Sequence, residues 1–259
     1  MAEPRWAVIT GASSGIGAEL ARVFARRGYS LWLVARREEK LQALAGEFAK
    51  AGRARVETMT LDLEDPAAPA ALADALAARG IAVHTLVNNA GFGLRGKFAT
   101  LPLERQIAMI ELNVTSLTKL SRLMLPGMIE RRRGGILNVA SIAAFQAGPN
   151  MAVYYATKAF VLSLSEALHE EVRRHNVTVT ALCPGPTGTE FAGKADLDES
   201  LMFRRGGMSA AEVARLGVDG YEAGEAVVVT GFTNRAAAIA SQLSPRWISR
   251  RVTARLNSR

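Results

Sequence analysis

Thr10-Gly11-Ala12-Ser13-Ser14-Gly15-Ile16-Gly17 follows directly on the apolar run 5–10 and opens a helix-period segment, 15–27. A glycine loop set between a strand and a helix N-terminus is the first turn of a βαβ unit. Gly11 permits the tight turn, Gly15 lets backbone approach a ligand, and Gly17 allows the helix to pack closely on the strand. Working outward, strand-like runs keep alternating with longer helical ones. The segments 31–35 and 38–51 come next, then 55–61 with the alanine-rich 67–79, then 85–88 with a helical stretch, 103–133, broken once. After these come 135–140, 153–175, 177–183, 210–222 and 226–230. Such alternation predicts an α/β fold in one domain, a doubly wound, Rossmann-type parallel sheet with helices on both faces. The run Thr178-Val179-Thr180-Ala181-Leu182 is too continuously apolar for a strand with one solvated face, as expected of buried parallel strands. No fixed repeat appears, which excludes a solenoid.

Composition narrows the function classes. Apolar residues make up 49% of the 259-residue chain and charged residues 22%, ordinary globular values with no linker-like segment. No apolar run approaches the ~20 residues needed to span a bilayer, and the N-terminus leads straight into a strand, so a cytoplasmic location is expected. The single cysteine, Cys183, reads as a buried structural thiol, and His84, His169 and His175 lack metal-ligand spacing. The net charge is +8, but residues 232–259 hold six arginines and no acid, leaving the remainder nearly balanced. That pattern does not fit a nucleic-acid-binding face.

The glycine loop offers a helix N-terminus, with its free N–H groups and positive dipole, to a pyrophosphate; Gly11, Ser13, Ser14, Gly15, Ile16 and Gly17 therefore form the first part of a dinucleotide site. At the end of the second strand, where an acid would bond a ribose 2′-OH, stand Arg36 and Arg37. A guanidinium pairs with a 2′-phosphate, so NADP(H) is favoured over NAD(H). Asp62 and Leu63 close the third strand, and Asn88-Asn89-Ala90-Gly91 the fourth, at the carboxyl edge where open parallel sheets bind ligands.

Tyr154-Tyr155-Ala156-Thr157-Lys158 begins a long helix, and Ser141 ends the strand before it. Tyr154 and Lys158 stand at i and i+4 on one helix face, with Tyr155 turned about 100° away. An ammonium beside a phenol lowers its pKa from ~10 toward working pH and makes Tyr154 a usable acid/base. Taken alone, the pair also fits an ordinary surface contact.

Together these motifs resemble the single-domain, NADP-using branch of the short-chain dehydrogenase/reductase family, from residue 5 to about 231. The matching positions are the glycine loop, Asn88 to Gly91, Asn113, Ser141, Tyr154, Lys158 and Pro184-Gly185. The resemblance implies hydride transfer between NADP(H) and a carbonyl/alcohol pair, with no metal. By the same resemblance Tyr154 moves the proton, Ser141 holds the substrate oxygen, Lys158 binds the nicotinamide ribose and tunes Tyr154, and Asn113 supports a water-linked proton relay. Asp62 is assigned to the adenine, Asn89 and Ala90 to the adenosine-side ribose, and Pro184, Gly185, Thr187 and Thr189 to the nicotinamide end. A non-catalytic NADP(H)-binding regulator of the same fold is the alternative, and a sugar-nucleotide epimerase or dehydratase a second.

Around the site, residues 145–151, Phe92 and Leu94 are expected to border the substrate, with Phe191, Leu197, Leu201, Met202 and Phe203 as an apolar lid. A fairly apolar ketone or aldehyde suits that border better than an acid held by Arg204 and Arg205. Residues 1–231 form the dinucleotide-binding and catalytic domain, and 232–259 a basic, amphipathic helical extension of it. Ser244-Pro245 reads as the N-cap and first position of a helix through Leu256. Ile248, Val252 and Leu256 form its stripe beside Trp247, with Arg246, Arg250 and Arg255 mostly to other sides. The stripe is expected to pack on its own domain or on a neighbouring subunit of a dimer or tetramer. An anionic membrane surface is the alternative.

Overall fold

A seven-stranded sheet, all neighbours parallel, lies at the centre of the computed structural model, which describes residues 4–52, 54–188 and 207–258. From the middle outward, β1 (Trp6–Thr10), β2 (Ser30–Ala35) and β3 (Val56–Thr60) form one half. β4 (Val83–Asn88), β5 (Gly134–Val139), β6 (Val177–Cys183) and β7 (Val227–Val229) form the other, giving the order β3-β2-β1-β4-β5-β6-β7. The connecting helices are α1 (Gly15–Arg26), α2 (Glu38–Ala51), α3 (Ala68–Ala78), α4 (Leu103–Ile110), α5 (Leu117–Glu130), α6 (Ala152–Val172) and α7 (Ala210–Glu222); α8 (Phe232–Leu243) and α9 (Arg246–Leu256) follow β7.

Side-chain alternation along the strands builds two cores. Ala7, Ile9, Leu31 and Leu33 pack with Phe24 of α1, Leu41 of α2 and Val218 of α7. Trp6, Val8, Trp32 and Val34 turn the other way, onto Leu72 of α3 and Leu120 and Met128 of α5. Burial on both faces is what made the strands read as unbroken apolar runs. The chain winds one way from β1 and the opposite way from β4, so their carboxyl ends flank a crevice at the switch point of the sheet.

Three readings are corrected. The stretch 103–133 is not broken: α4 runs through a π-helical segment, Glu111–Ser116, into α5. The wider turn keeps the backbone bonded while changing the phase of the apolar face. In the tail there are two helices, not one. Ser244 ends α8 instead of capping α9, whose N-cap is Pro245. Gly231, at φ 87°, precedes α8 and offers no capping side chain, so no N-cap residue marks this helix in the sequence. Finally, α9 turns Thr253 and Asn257 inward while Ile248 and Val252 stay exposed, and Arg255, seven residues after Ile248, shares that outer face.

Candidate active site

The loops after β1 and β4 are tied together at the crevice. Thr10 Oγ1 accepts from the backbone N–H groups of Asn89 and Ala90, both at 3.0 Å, and Asn89 Nδ2 donates to the carbonyls of Thr10 (2.9 Å) and Gly11 (3.2 Å). A Cβ at Gly17 would lie 2.4 Å from Asn89 Nδ2 and from the Gly11 carbonyl oxygen, so glycine there is a packing requirement. The side chain of Asn89 thus holds the glycine loop in place. The side chain of Ser14, the N-cap of α1, makes no capping bond to the first turn. Uncapped N–H groups and the helix dipole suit an anionic ligand.

The two arginines after β2 part company. Arg37 reaches over the loop, its Nη2 2.6 Å from Ser14 Oγ and 3.1 Å from Ser13 Oγ. Arg36, half-exposed, pairs with Glu64 at 2.8 Å and Asp62 at 3.6 Å.

At the other end of the crevice, the first turns of α6 bring Tyr154 and Lys158 beside Ser141. Ser141 caps the short 3-10 turn Ile142–Phe145 by accepting from Ala143 N at 3.1 Å. Its hydroxyl also shares a hydrogen bond with that of Tyr154. Lys158 Nζ donates to the Val139 carbonyl at 2.7 Å and stands 5.9 Å from the Tyr154 ring centre. The expected lowering of the phenol pKa is absent: burial pushes Tyr154 up to about 12, against the opposing effect of the Ser141 bond. Burial likewise pushes Lys158 down to about 8. The ammonium faces the ring instead of the hydroxyl, so desolvation outweighs it. Cys183 is fully buried and its thiol is pushed up to about 12 by the same cause.

Asn113 comes from the π-helical segment and stands behind the crevice. Its Nδ2 donates to the Phe92 carbonyl (3.0 Å) and Thr157 Oγ1 (3.1 Å), and its Oδ1 accepts from Phe92 N at 3.1 Å. It thereby clamps the loop after β4 to α6. A Cβ on Gly91 would sit 2.9 Å from Asn113 Oδ1, which is why this loop needs glycine where it passes.

One cleft of about 320 Å³ joins the two ends. It is bordered by Gly11, Ser13, Ser14, Gly15, Ile16, Arg36, Arg37, Asp62, Leu63, Asn89, Ala90, Gly91, Ser141, Tyr154, Lys158, Pro184, Gly185 and Thr187. Of the sequence-predicted residues, Gly17 and Asn113 support it from behind, while Thr189 and the lid positions 191–208 up to 206 lie outside the described residues. Two further residues line the cleft. Tyr155, about 100° from Tyr154 around α6, still borders it, its ring centre 6.1 Å from that of Tyr154. Asn257 arrives from the far end of the chain, accepting from Tyr155 Oη at 3.3 Å and donating to the Pro149 carbonyl at 3.0 Å. No local pattern links residues about a hundred positions apart. Beneath the cleft, Asn88 Nδ2 donates to Ser121 Oγ (3.1 Å) and Asn138 Oδ1 (2.9 Å), and Asn138 Nδ2 to Ser165 Oγ (2.9 Å). This buried polar ladder ties β4 to β5 and α6.

Residues 5–200 match the profile of the short chain dehydrogenases. The chain belongs to that family. Its fold is that of a short-chain dehydrogenase from Sphingobium yanoikuyae in complex with NADPH, with a TM-score of 0.82 and 36% identity over 91% of this chain and 92% of that one. A short chain dehydrogenase/reductase from Burkholderia phymatum in complex with NAD aligns with a TM-score of 0.83 and 29% identity, over 92% of both chains. A very-long-chain 3-oxoacyl-CoA reductase from Mycosarcoma maydis is 39% identical over 182 residues, 68% of this chain and 51% of that protein. The chain spans about half the length of the curated relatives of that kind. For a short-chain dehydrogenase, the tail bonded into the cleft by Asn257 supplies a wall that lies beyond the region the family profile matches.

Proposed function

We propose that this protein is an NADP(H)-dependent oxidoreductase that interconverts a fairly apolar ketone or aldehyde and its alcohol. One observation carries the reading. A buried phenol bonded to a serine hydroxyl, with a buried lysine one turn on, meets at one end of a cleft whose other end is a glycine loop over an uncapped helix. A protein that only bound a dinucleotide would have no use for the first group. The residues present fit a nicotinamide dinucleotide. Gly15, Ile16 and the first turn of α1 would hold the pyrophosphate, Arg37 with Ser13 the 2′-phosphate, and Asp62 and Leu63 the adenine. Ala90, Lys158, Pro184, Gly185 and Thr187 would hold the nicotinamide half. When bound, the cofactor supplies or takes up the hydride.

The chain's own residues do the rest. Ser141 Oγ already accepts from Ala143 N, so its proton is directed to the substrate oxygen, which takes its place between the hydroxyls of Ser141 and Tyr154. In reduction, Tyr154 gives its proton to that oxygen as negative charge develops there, and Ser141 stabilises the same charge. A phenol held at about 12 stays protonated, which suits the donating role. Lys158 places its charge beside the ring, and Asn113 acts as a positioning residue. Phe92, Ile142, Ala143, Met151 and Tyr155 give the substrate end an apolar border, in keeping with a ketone on a long chain such as the name of the Mycosarcoma maydis relative describes.

Exposed Leu103 and Ile107 of α4, Leu123 of α5 and Phe160 of α6 support association with a second copy, and the bonds of α8 and α9 to 145–149 support reading 232–259 as part of the same domain. Loss of NADPH absorbance over a panel of ketones, aldehydes and 3-oxoacyl thioesters tests the function. Turnover of at least one apolar member is expected, and tight NADPH binding without turnover of any would favour the regulator.

A further inference from the structure

The tail is two-sided. Its inner side covers the substrate end of the cleft: Asn234 lies against Gly185, Ser241 Oγ donates to Gln146 Oε1 at 2.9 Å, and Asn257 bonds Tyr155 and Pro149. Both helices rest on the loops around the cleft by this side, so their other sides face outward together. That outer side exposes large apolar residues that no other described residue covers. Phe232 and Leu243 are 87% and 82% exposed, Trp247 is 51% exposed, and Ile239, Ile248 and Val252 are exposed as well. Phe232, Ile239 and Leu243 share one face of α8 at spacings of seven and four.

The charge carried by the tail's own residues has one sign. Residues 232–259 contain six arginines and no acid, while the other 231 residues carry a net +2, from 26 Lys and Arg against 24 Asp and Glu. Among the described residues, none of Arg235, Arg246, Arg250, Arg251 and Arg255 forms an ion pair. Arg251 lies over the Trp247 ring, 5.3 Å from its centre. A second copy of this chain across a two-fold axis would set the arginines of one tail against those of the other, with no carboxylate within 232–259 to offset them. An anionic bilayer offers what the face lacks, phosphates beside an apolar layer. It also accepts an indole at its boundary and a helix such as α9, roughly 16 Å long, lying in its plane.

We propose that the outer face of α8 and α9 docks on an anionic lipid bilayer, with Leu243, Trp247 and Ile248 entering the headgroup boundary and the arginines pairing with lipid phosphates. Among the described residues no helix is long and apolar enough to cross a membrane, so the contact is peripheral. Because the opposite side of the same helices walls the cleft, docking sets the cleft mouth beside the lipid and suits an amphiphilic substrate. That consequence rests on the carbonyl-reductase reading; the docking does not.

The chain carries its own reporter. Of its three tryptophans, Trp6 and Trp32 are buried and Trp247 is exposed. The full chain is mixed with phosphatidylcholine vesicles, with and without phosphatidylglycerol, and both flotation and tryptophan emission are followed. Flotation and a blue shift with the anionic vesicles alone, reversed by salt, are expected. Each arginine near such a surface contributes about 1 kcal/mol, roughly fivefold in partitioning, so Arg250→Ser with Arg251→Ser weakens binding about 25-fold. Ile248→Ser lowers binding at unchanged salt dependence. None of these positions touches the cleft, so NADPH binding by each variant serves as the folding control. Absence of flotation with either vesicle overturns the proposal, as does salt-insensitive binding to both. A smaller oligomer in the variants without vesicle binding also overturns it and makes the face a subunit contact.

Discussion

Replacing Arg37 with alanine separates two guanidiniums that the sequence presents as a pair. Arg37 is part-buried and forked over the glycine loop, with contacts of 2.6, 3.1 and 3.3 Å to Ser14 and Ser13. A 2′-phosphate bonded to Ser13 would lie within reach of that fork. Charge-assisted bonds of this kind contribute about 1.5–3 kcal/mol, or roughly 10- to 150-fold in affinity. Arg36 is instead turned to Glu64 and Asp62, and its exposed pairs are worth about 0–1 kcal/mol, at most roughly fivefold. The assay is kcat/KM for NADPH and for NADH with one carbonyl substrate. Arg37→Ala is expected to lower the NADPH/NADH ratio by the larger factor, through the NADPH value alone, and Arg36→Ala by the smaller one. The reverse ranking would transfer the phosphate to Arg36. An unchanged ratio in both variants would refute the argument from the arginines to NADP(H).

Three further outcomes follow from the geometry. Lys158 titrates at about 8 in the fold, below its ordinary 10.5, so its charge is lost as pH rises through about 8 while Tyr154, at about 12, keeps its proton. Reductive kcat/KM is therefore expected to fall above pH about 8, and a flat profile over two further pH units would rule Lys158 out as the controlling group. Over the same interval the lowered value of Lys158 favours the native state as pH rises, an effect opposed by the buried Cys183 thiol, which keeps its proton to about 12 instead of its ordinary 9. Gly148→Ala would set a Cβ 2.2 Å from the Tyr155 ring, an overpacking cost of about 1–3 kcal/mol that lowers Tm by roughly 2–4 °C per kcal/mol; an unchanged Tm by calorimetry contradicts it. Tyr155→Phe loses the bond to Asn257, worth about 0.5–1.5 kcal/mol, so kcat/KM in the same assay falls by no more than about tenfold.

What was legible in the sequence is what local period and local spacing encode. Strands buried on both faces announce themselves as apolar runs, and a glycine loop between strand and helix fixes where a parallel sheet opens. Tyr154 and Lys158 are neighbours on one helix wherever that helix lies. Long-range pairings were not legible. Asn89 spends its amide on the carbonyls of Thr10 and Gly11, and Asn138 passes the Asn88 bond to Ser165, contacts that exist only once β4 stands between β1 and β5. The π-helical turn at 111–116 carries no composition signal, and it holds Asn113, whose partner Phe92 lies 21 residues away. In α9 the apolar stripe pointed to the wrong buried face. Ser249 bonds the Ser241 carbonyl and Asn257 bonds Tyr155 and Pro149, so their side with Thr253 between them turns inward, where the rule that apolar residues face the core predicts the opposite. The lowered phenol pKa inferred from i, i+4 spacing failed for a related reason, because spacing says nothing of desolvation.

The most direct test is Tyr154→Phe, measured for both NADPH binding and steady-state reduction. The phenyl ring keeps the packing against Met109 and Met151, so the fold and the cofactor affinity are expected to be nearly unchanged. Loss of the proton donor should remove at least about a hundredfold from kcat. A variant that still turns over at a comparable rate, or that loses no more than Tyr155→Phe does, would contradict the assignment of Tyr154 as the acid/base.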